Sequence, residues 1–557
     1  MEKLVNVLNI QQACESASKI SEINKENLSQ ESKEAAKRFG GLSVGCLVYA
    51  FIYAFCMYQN KEGITFPFFV VATLSFFYYY TRKYCGIIPK KDCFLMGSIV
   101  ILGILTCTTA SSVIIVLNKC LILFLMCVLV LKTYFDVSGW SMPNYLCSMF
   151  YVAGGNMLYM FSPFFDVFDF IKVRNHEKGK SLINDKIKRI VFAVSAGVVL
   201  SIPMLLVVGA LLGEADVYFE YFFYETMDRI FEWEWDLPEL FGDIWGFMIR
   251  VLFMFLVSYG LFVYISRKNG IEEMTGHKQD RWDCIIAITF TSLIGIMYLI
   301  FVWIQIAGLF MGALKLPYGY SYAEYARQGF FQLVFVCIFN MILVLVCINC
   351  FEKHKVLQVL LTMISICTYV MLVSSAYRMF LYIREYQLTF LRVLVLWGIV
   401  VIGLVMAGVI VSIFRDSFPL FTYMVVIITS LYIGFAAIHP DFVIAKYNVT
   451  QAESGKDIDE WYLVRNLSLD AAMPVLDMYE GKLQSEDYIT EYLSGTVNDL
   501  ENSNYYRERV MDSVEDMNLC SYNFSKGFAK RQADDFMEKM KHNFIWADWV
   551  SEKEAVN

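Results

Sequence analysis

The sequence predicts an all-α protein, a polytopic transmembrane helical bundle of about eleven spans with a small soluble helical C-terminal domain. Three observations predict it. Of 557 residues, 57% are hydrophobic and 18% charged, with a mean hydropathy of +0.50, where a soluble chain carries about 45–50% apolar and about 25% charged residues. The apolar residues gather in long runs, most of them near the roughly 20 residues that cross a hydrocarbon core about 30 Å thick. After His439-Pro440 the character changes to an amphipathic stretch with 23 acidic and 12 basic side chains. This pattern excludes an ordinary soluble enzyme and a disordered chain. With a net charge of -8 no global basic field attracts nucleic acid.

Residues 1–40 form a polar, cytoplasmic N-terminal segment with six basic and six acidic side chains. No cleavable signal is expected there, so the first apolar run targets the chain to the membrane. The membrane domain covers 41–438, with spans at 41–58, 65–81, 94–109, 111–131, 190–213, 244–266, 284–311, 329–351, 356–377, 391–414 and 420–438. The stretch 94–135 holds two crossings, and its turn falls either at Thr108–Ser112 or at Asn118–Lys119. The second is preferred, because a lysine in hydrocarbon costs about 2.5–3.5 kcal/mol on insertion scales. Two aromatic-rich segments, near 140–171 and 214–243, are expected along the interfaces, where Tyr and Trp sit at headgroup level.

Basic residues set the orientation. They crowd four connections that alternation places on one side, around Arg82–Lys91, Lys172–Arg189, Arg267–Arg281 and Lys353–Lys355. The largest opposing connection, 214–243, holds ten acids against Arg229 alone. The chain is therefore expected in a cell membrane, multi-pass, with its N-terminus in the cytoplasm and its C-terminal domain outside. In that domain, 439–557, Asp457 is expected to open one helix and Ser525 to cap another over Lys526–His542, around Leu463, Leu467, Leu476, Tyr488, Tyr492 and Val510.

No catalytic signature is present. Gly179-Lys180-Ser181 lacks the glycine of a phosphate loop, Arg174 standing in its place. The fifteen cysteines mostly sit in apolar runs, Cys347 and Cys350 have no second pair, and the five histidines form no metal spacing. Catalytic, cofactor and metal residues are thus all set at none. The better pointers are polar side chains in spans, each costly in lipid. Gln305, Asn340, Asn349 and Gln358 lie in or near consecutive spans and suit hydrogen bonds across helices. Glu324, Tyr325 and Arg327 follow the Pro317-Tyr318-Gly319 turn at helical spacing, and Arg378, Arg384 and Glu385 lie on the same expected side. Two readings of this set stand: an outward pocket that binds phosphate or carboxylate through guanidinium groups, or ion pairs and tyrosines that hold two hairpins together.

The run Tyr322-Ala323-Glu324-Tyr325-Ala326-Arg327-Gln328-Gly329-Phe330-Phe331-Gln332-Leu333 resembles the hallmark of a family of bacterial multi-spanning proteins, domain of unknown function 4153 or 4173. Tyr382 to Arg392 resembles the family's Tyr…Tyr-Gly-Leu-Thr…Arg segment, with Gln387 where glycine is usual. Ile444 to Val449, Leu467 to Pro474 and Tyr522 to Ser525 resemble three further family elements, so that the likeness covers roughly 190–540. It implies an integral membrane protein of bacteria and brings no activity, cofactor or catalytic residue. The expected partners are the lipid bilayer and a protein for the C-terminal domain, with no nucleic acid and no identified ligand. The leading expectation is a non-enzymatic, transport-like or small-molecule- or lipid-binding protein. The alternatives are a membrane sensor or assembly scaffold acting through the C-terminal domain, and an enzyme on a lipid-linked envelope substrate.

Overall fold

A computed structural model describes residues 30–84 except 59 and 61, 92–177 except 136, 138, 139 and 141, the single positions 208 and 212, 239–267, 281–307, 330–483 except 416, and 498–540 except 516 and 519. The helices are α1 Gln30–Cys56, α2 Thr65–Tyr84, α3 Cys93–Thr108, α4 Ser112–Tyr134, α5 Met142–Tyr159, α6 Ser162–Glu177, α7 Glu239–Arg267 and α8 Cys284–Gln305. Then come α9 Phe330–Cys350, α10 Lys355–Tyr386, α11 Phe390–Phe414, α12 Leu420–Ala437, α13 Pro440–Glu453, α14 Ala472–Leu483, α15 Asn498–Glu515 and α16 Phe524–Met540. Among the described residues the one strand-like pairing is an isolated parallel bridge between Trp282 and Phe351. The protein is an all-α, polytopic membrane-spanning chain. Eight described helices are long and apolar enough to cross a bilayer, and α3, of 16 residues, is a shorter apolar helix. Ten of the eleven expected runs are helical; of 190–213 only positions 208 and 212 are described, and 214–238 of the acidic connection lies outside the described residues.

The chain divides into two compact units. In the first, α1, α6 and α7 pack together. Helix α1 starts at Gln30, inside the segment expected to be only polar. The expected interfacial stretch 140–171 forms α5 and α6, and α6 turns Asp166 inward. Arg38 Nη2 and Nε of α1 donate to Asp166 Oδ1 and Oδ2 at 3.0 and 3.1 Å, and the Tyr259 hydroxyl of α7 donates to Oδ2 at 2.7 Å. A carboxylate buried between helices is tolerated because both its oxygens are bonded and its charge is paired. Arg250 of α7 lies over the Tyr58 ring, 6.0 Å from its centroid.

In the second unit α8 and α9 both pack on α10, α10 packs on α11 and α11 on α12, α9 also meets α11, and α3 meets both α4 and α12. Their core is aliphatic and sulfur-bearing, with Cys337, Ile364, Met371, Met406 and Val409 at its centre. The turn between α3 and α4 falls at Thr109–Ser111, which overturns the preferred break at Asn118–Lys119. The physical reason is pairing. Asn118 is fully buried and its side-chain oxygen accepts from the Tyr432 hydroxyl of α12 at 2.9 Å, while Lys119 lies over the Phe66 ring.

After α12 a second core forms from Ile444, Leu463, Leu467, Leu476, Tyr479, Tyr506, Val510, Phe536 and Met540, contributed by α13 to α16 and the π-helical turn Tyr462–Asn466. Four of the six expected core residues are in it; Tyr488 and Tyr492 lie outside the described residues. The caps differ from expectation. Asp459, not Asp457, accepts from the Tyr462 amide. Asn523, not Ser525, caps α16 by accepting from the Ser525 and Lys526 amides at 3.0 and 3.2 Å. Ser525 is free of that duty and bonds elsewhere.

Candidate functional site

The α3–α4 turn is Thr109-Ala110-Ser111; the Ser111 carbonyl accepts from the Ile115 amide of α4, while the Ala110 amide and the Thr109 carbonyl find their partners beyond both helices. Asp470, in the 3-10 turn Leu469–Ala471, reaches them from the C-terminal helices. The Ala110 amide donates to Oδ1 at 2.7 Å and the Thr109 hydroxyl to Oδ2 at 2.5 Å. The Ser525 hydroxyl also donates to Oδ1, and His439 Nδ1 lies 3.3 Å from Oδ2. Four partners from three separate segments thus converge on one carboxylate whose side chain is 2% exposed. Asn523, beside Ser525, donates to the Thr109 carbonyl at 2.9 Å and closes the ring.

His439 ends α12 and opens α13 with a left-handed backbone, φ +52°, ahead of Pro440 at the first helical position. Proline favours that position because it has no amide to satisfy. Two residues on, Asp441 is buried and accepts from the Ser468 amide at 3.2 Å and from Ser111. Burial pushes Asp470 up, but the bonds from His439, Ser525, Thr109 and Ala110 together outweigh it and leave the carboxyl below its usual range. The bond to Asp470 raises His439 above its ordinary value, against the effect of burial. Burial raises Asp441, opposed by the Ser468 bonds and aided by the nearby Asp470 charge. The arrangement thus sets side by side one carboxyl lowered, one histidine raised and one carboxyl raised from their ordinary values.

A second seam lies next to it. Gln387, between α10 and α11, has φ +65° and ψ -173°, a region nearly reserved for glycine. The Leu388 amide donates to Asn448 Oδ1 at 3.1 Å and Asn448 Nδ2 returns a bond to the Leu388 carbonyl at 2.9 Å. The Gln387 side chain bonds the Asp457 carbonyl, and the Phe390 amide donates to the Tyr462 hydroxyl at 2.7 Å. The segments 382–392, 444–449, 467–474 and 522–525, each singled out in the sequence, therefore meet at this junction.

The polar residues expected to bond across helices do so in separate places, except Asn349. Gln305 of α8 accepts from the Ser374 hydroxyl at 2.7 Å and from Arg378 Nη2 at 3.2 Å, both on α10 and all buried. Asn340 of α9 is fully buried in another group; it accepts from the Tyr298 hydroxyl at 2.6 Å and donates to Thr368 at 2.9 Å. Gln358 donates to the Ile413 carbonyl of α11, and Asn349 stays within its own helix on the Leu345 carbonyl. Arg384 and Glu385 are exposed at the end of α10. Glu324, Tyr325 and Arg327 lie outside the described residues. Among the described residues no group of three or more His, Cys, Asp or Glu could hold a metal ion.

The junction of Asp470 with His439 was not anticipated from the sequence. A signal for it was present: a histidine and an aspartate flanking Pro440, and Ser-x-Asp at 468–470, are polar groups set against apolar neighbours. The family model described as Domain of unknown function (DUF4153) matches residues 96–479. No curated protein and no solved structure matches the chain significantly.

Proposed function

The chain belongs to the DUF4153 family, whose model spans most of its length, and we propose that it acts as a sensor or assembly scaffold of the bacterial cytoplasmic membrane through its C-terminal helical domain. The observation that carries this reading is the convergence of Thr109, Ala110, His439 and Ser525 on Asp470. It makes the C-terminal helices a fixed extension of the spans, so a shift of α3, α4 or α12 reaches the domain directly. Meanwhile Asn340 and Gln305 are occupied in hydrogen bonds between helices, each worth about 0.6 kcal/mol on average in membrane proteins. That use suits a structural bundle more than a substrate path.

The orientation belongs to the same reading. The domain packs on Thr109 and Ala110, on Leu388 and Phe390, and follows α12. Lys132, Lys353, Lys355 and Arg415 stand at the other ends of those helices and their neighbours. Positive charge favours the cytoplasmic side, which supports a C-terminal domain outside.

One observation favours the transport-like or ligand-binding reading as a second choice. Arg378 is buried on a span beside Gln305, and a guanidinium at such depth is costly enough to suggest a use. The two readings part in a complementation test of a deletion strain. Under the first, removal of residues 450–557 or Asp470→Asn abolishes rescue with membrane insertion intact, and Arg378→Gln rescues. Loss with Arg378→Gln and rescue by Asp470→Asn selects the second.

A further inference from the structure

The C-terminal helices carry an apolar surface that their own core does not use. On α16 the buried face is Gly527, Ala529, Ala533, Phe536 and Met540. The opposite side begins with Phe524 and Phe528, one turn apart and each 48% exposed. Lys530 and Arg531 follow on the exposed side, and then Asp534 and Asp535. Along the axis the order is aromatic, basic, acidic. At 1.5 Å per residue the change from rings to acids takes about 10 Å, close to the depth of a bilayer's headgroup region.

The position of the ring-bearing end is fixed. The Ile64 amide donates to the Tyr522 carbonyl at 2.9 Å, and the Thr65 hydroxyl to the Cys520 carbonyl at 3.2 Å. Asn523 donates to the Thr109 carbonyl at 2.9 Å, and Lys526 pairs with Glu62. Gly63 is pressed so close that an added Cβ would lie 2.4 Å from the Cys520 carbonyl oxygen. Each partner stands where a membrane helix begins or ends. Val113 and Val116, on the first turns of the span α4, are exposed and apolar, and they directly follow the turn that Asn523 holds.

We propose that the first two turns of α16 lie in the bilayer interface, with Phe524 and Phe528 at the acyl boundary and Lys530 and Arg531 against lipid phosphates. The surface that takes lipid on α4 then continues onto the C-terminal helices. Aromatic rings favour this depth, and basic side chains just above it meet anionic headgroups. The proposal stands apart from the sensor or scaffold reading, since it needs only that α3 and α4 enter the membrane.

The test places p-benzoylphenylalanine at 524, 528 or 534 of the full chain, in nanodiscs of phosphatidylethanolamine and phosphatidylglycerol. Irradiation should give lipid adducts from 524 and 528 and none above the dark background from 534. Equal lipid adducts at all three positions, none at 524 and 528, or adducts at 528 with protein alone would overturn it. Hydroxyl-radical labelling of the unsubstituted chain in the same nanodiscs guards against a misfolded variant. Trp461 and Tyr505, also exposed, should be oxidised while Phe524 and Phe528 stay protected; oxidation of both phenylalanines refutes the placement.

Discussion

At the residue scale the centre of the molecule is a titratable pair. His439 has its folded value raised above its ordinary 6.5, so its contribution to stability is full below that pH and is lost as pH rises through the raised value. Asp470 is lowered from its ordinary 3.8, so its contribution is present above that pH and is lost as pH falls through the lowered value. Asp441 is raised, so its contribution is full below its ordinary 3.8 and is lost as pH rises through the raised value. All three signs agree that the attachment of the C-terminal helices is firmest in mild acid. The detergent-solubilised protein should therefore unfold at a higher temperature at about pH 5.5 than at about pH 8, within the range where histidine changes charge. His439→Gln should shrink that difference, and an unchanged difference would remove His439 from the account.

Elements and their connections show what local sequence can and cannot specify. Nearly every apolar run is a helix, because a stretch of some 20 apolar residues in lipid has no cheaper way to satisfy its backbone. The α3–α4 turn was misplaced because local composition prices Asn118 and Lys119 as though they were alone. Tyr432, more than 300 residues later, changes that cost, and no window of neighbours contains it. The candidate site was hidden for the same reason. Its residues were quoted in four separate stretches, but the bond from Thr109 to Asp470 spans 361 positions. By contrast the α10–α11 turn was half legible: glycine is usual at position 387 in the family resemblance, and the backbone there has the conformation that glycine tolerates best. Gln387→Gly should stabilise the protein by about 1 kcal/mol through relief of that strain, less whatever the lost bond to the Asp457 carbonyl supplied. Unfolding titrations in mixed micelles would read the change, and a destabilised variant would show that the side-chain bond outweighs the strain.

For the whole molecule the main expectation is sidedness. Lys456 is exposed beyond α13, and Lys355 is exposed at the start of α10. With the C-terminal helices outside, Lys456→Cys should react with a membrane-impermeant maleimide in intact cells, above the level of the unsubstituted chain. Lys355→Cys should react only after the membrane is opened. The reverse pattern would invert the whole topology, since the alternation of helices ties the two ends together.

The reach of Asp470 back to Thr109 and Ala110 also sets an order of manufacture. Helices α3 and α4 leave the ribosome some 360 residues ahead of the carboxylate that finishes their turn. During that interval the Ala110 amide and the Thr109 hydroxyl stand without their acceptor, and the hairpin is inserted but unsealed. Only when residues 470 and 525 have emerged does the later segment complete the earlier hairpin. A chain cut short before that point would carry an open seam into the membrane, a ready mark for the proteases that clear unfinished membrane proteins.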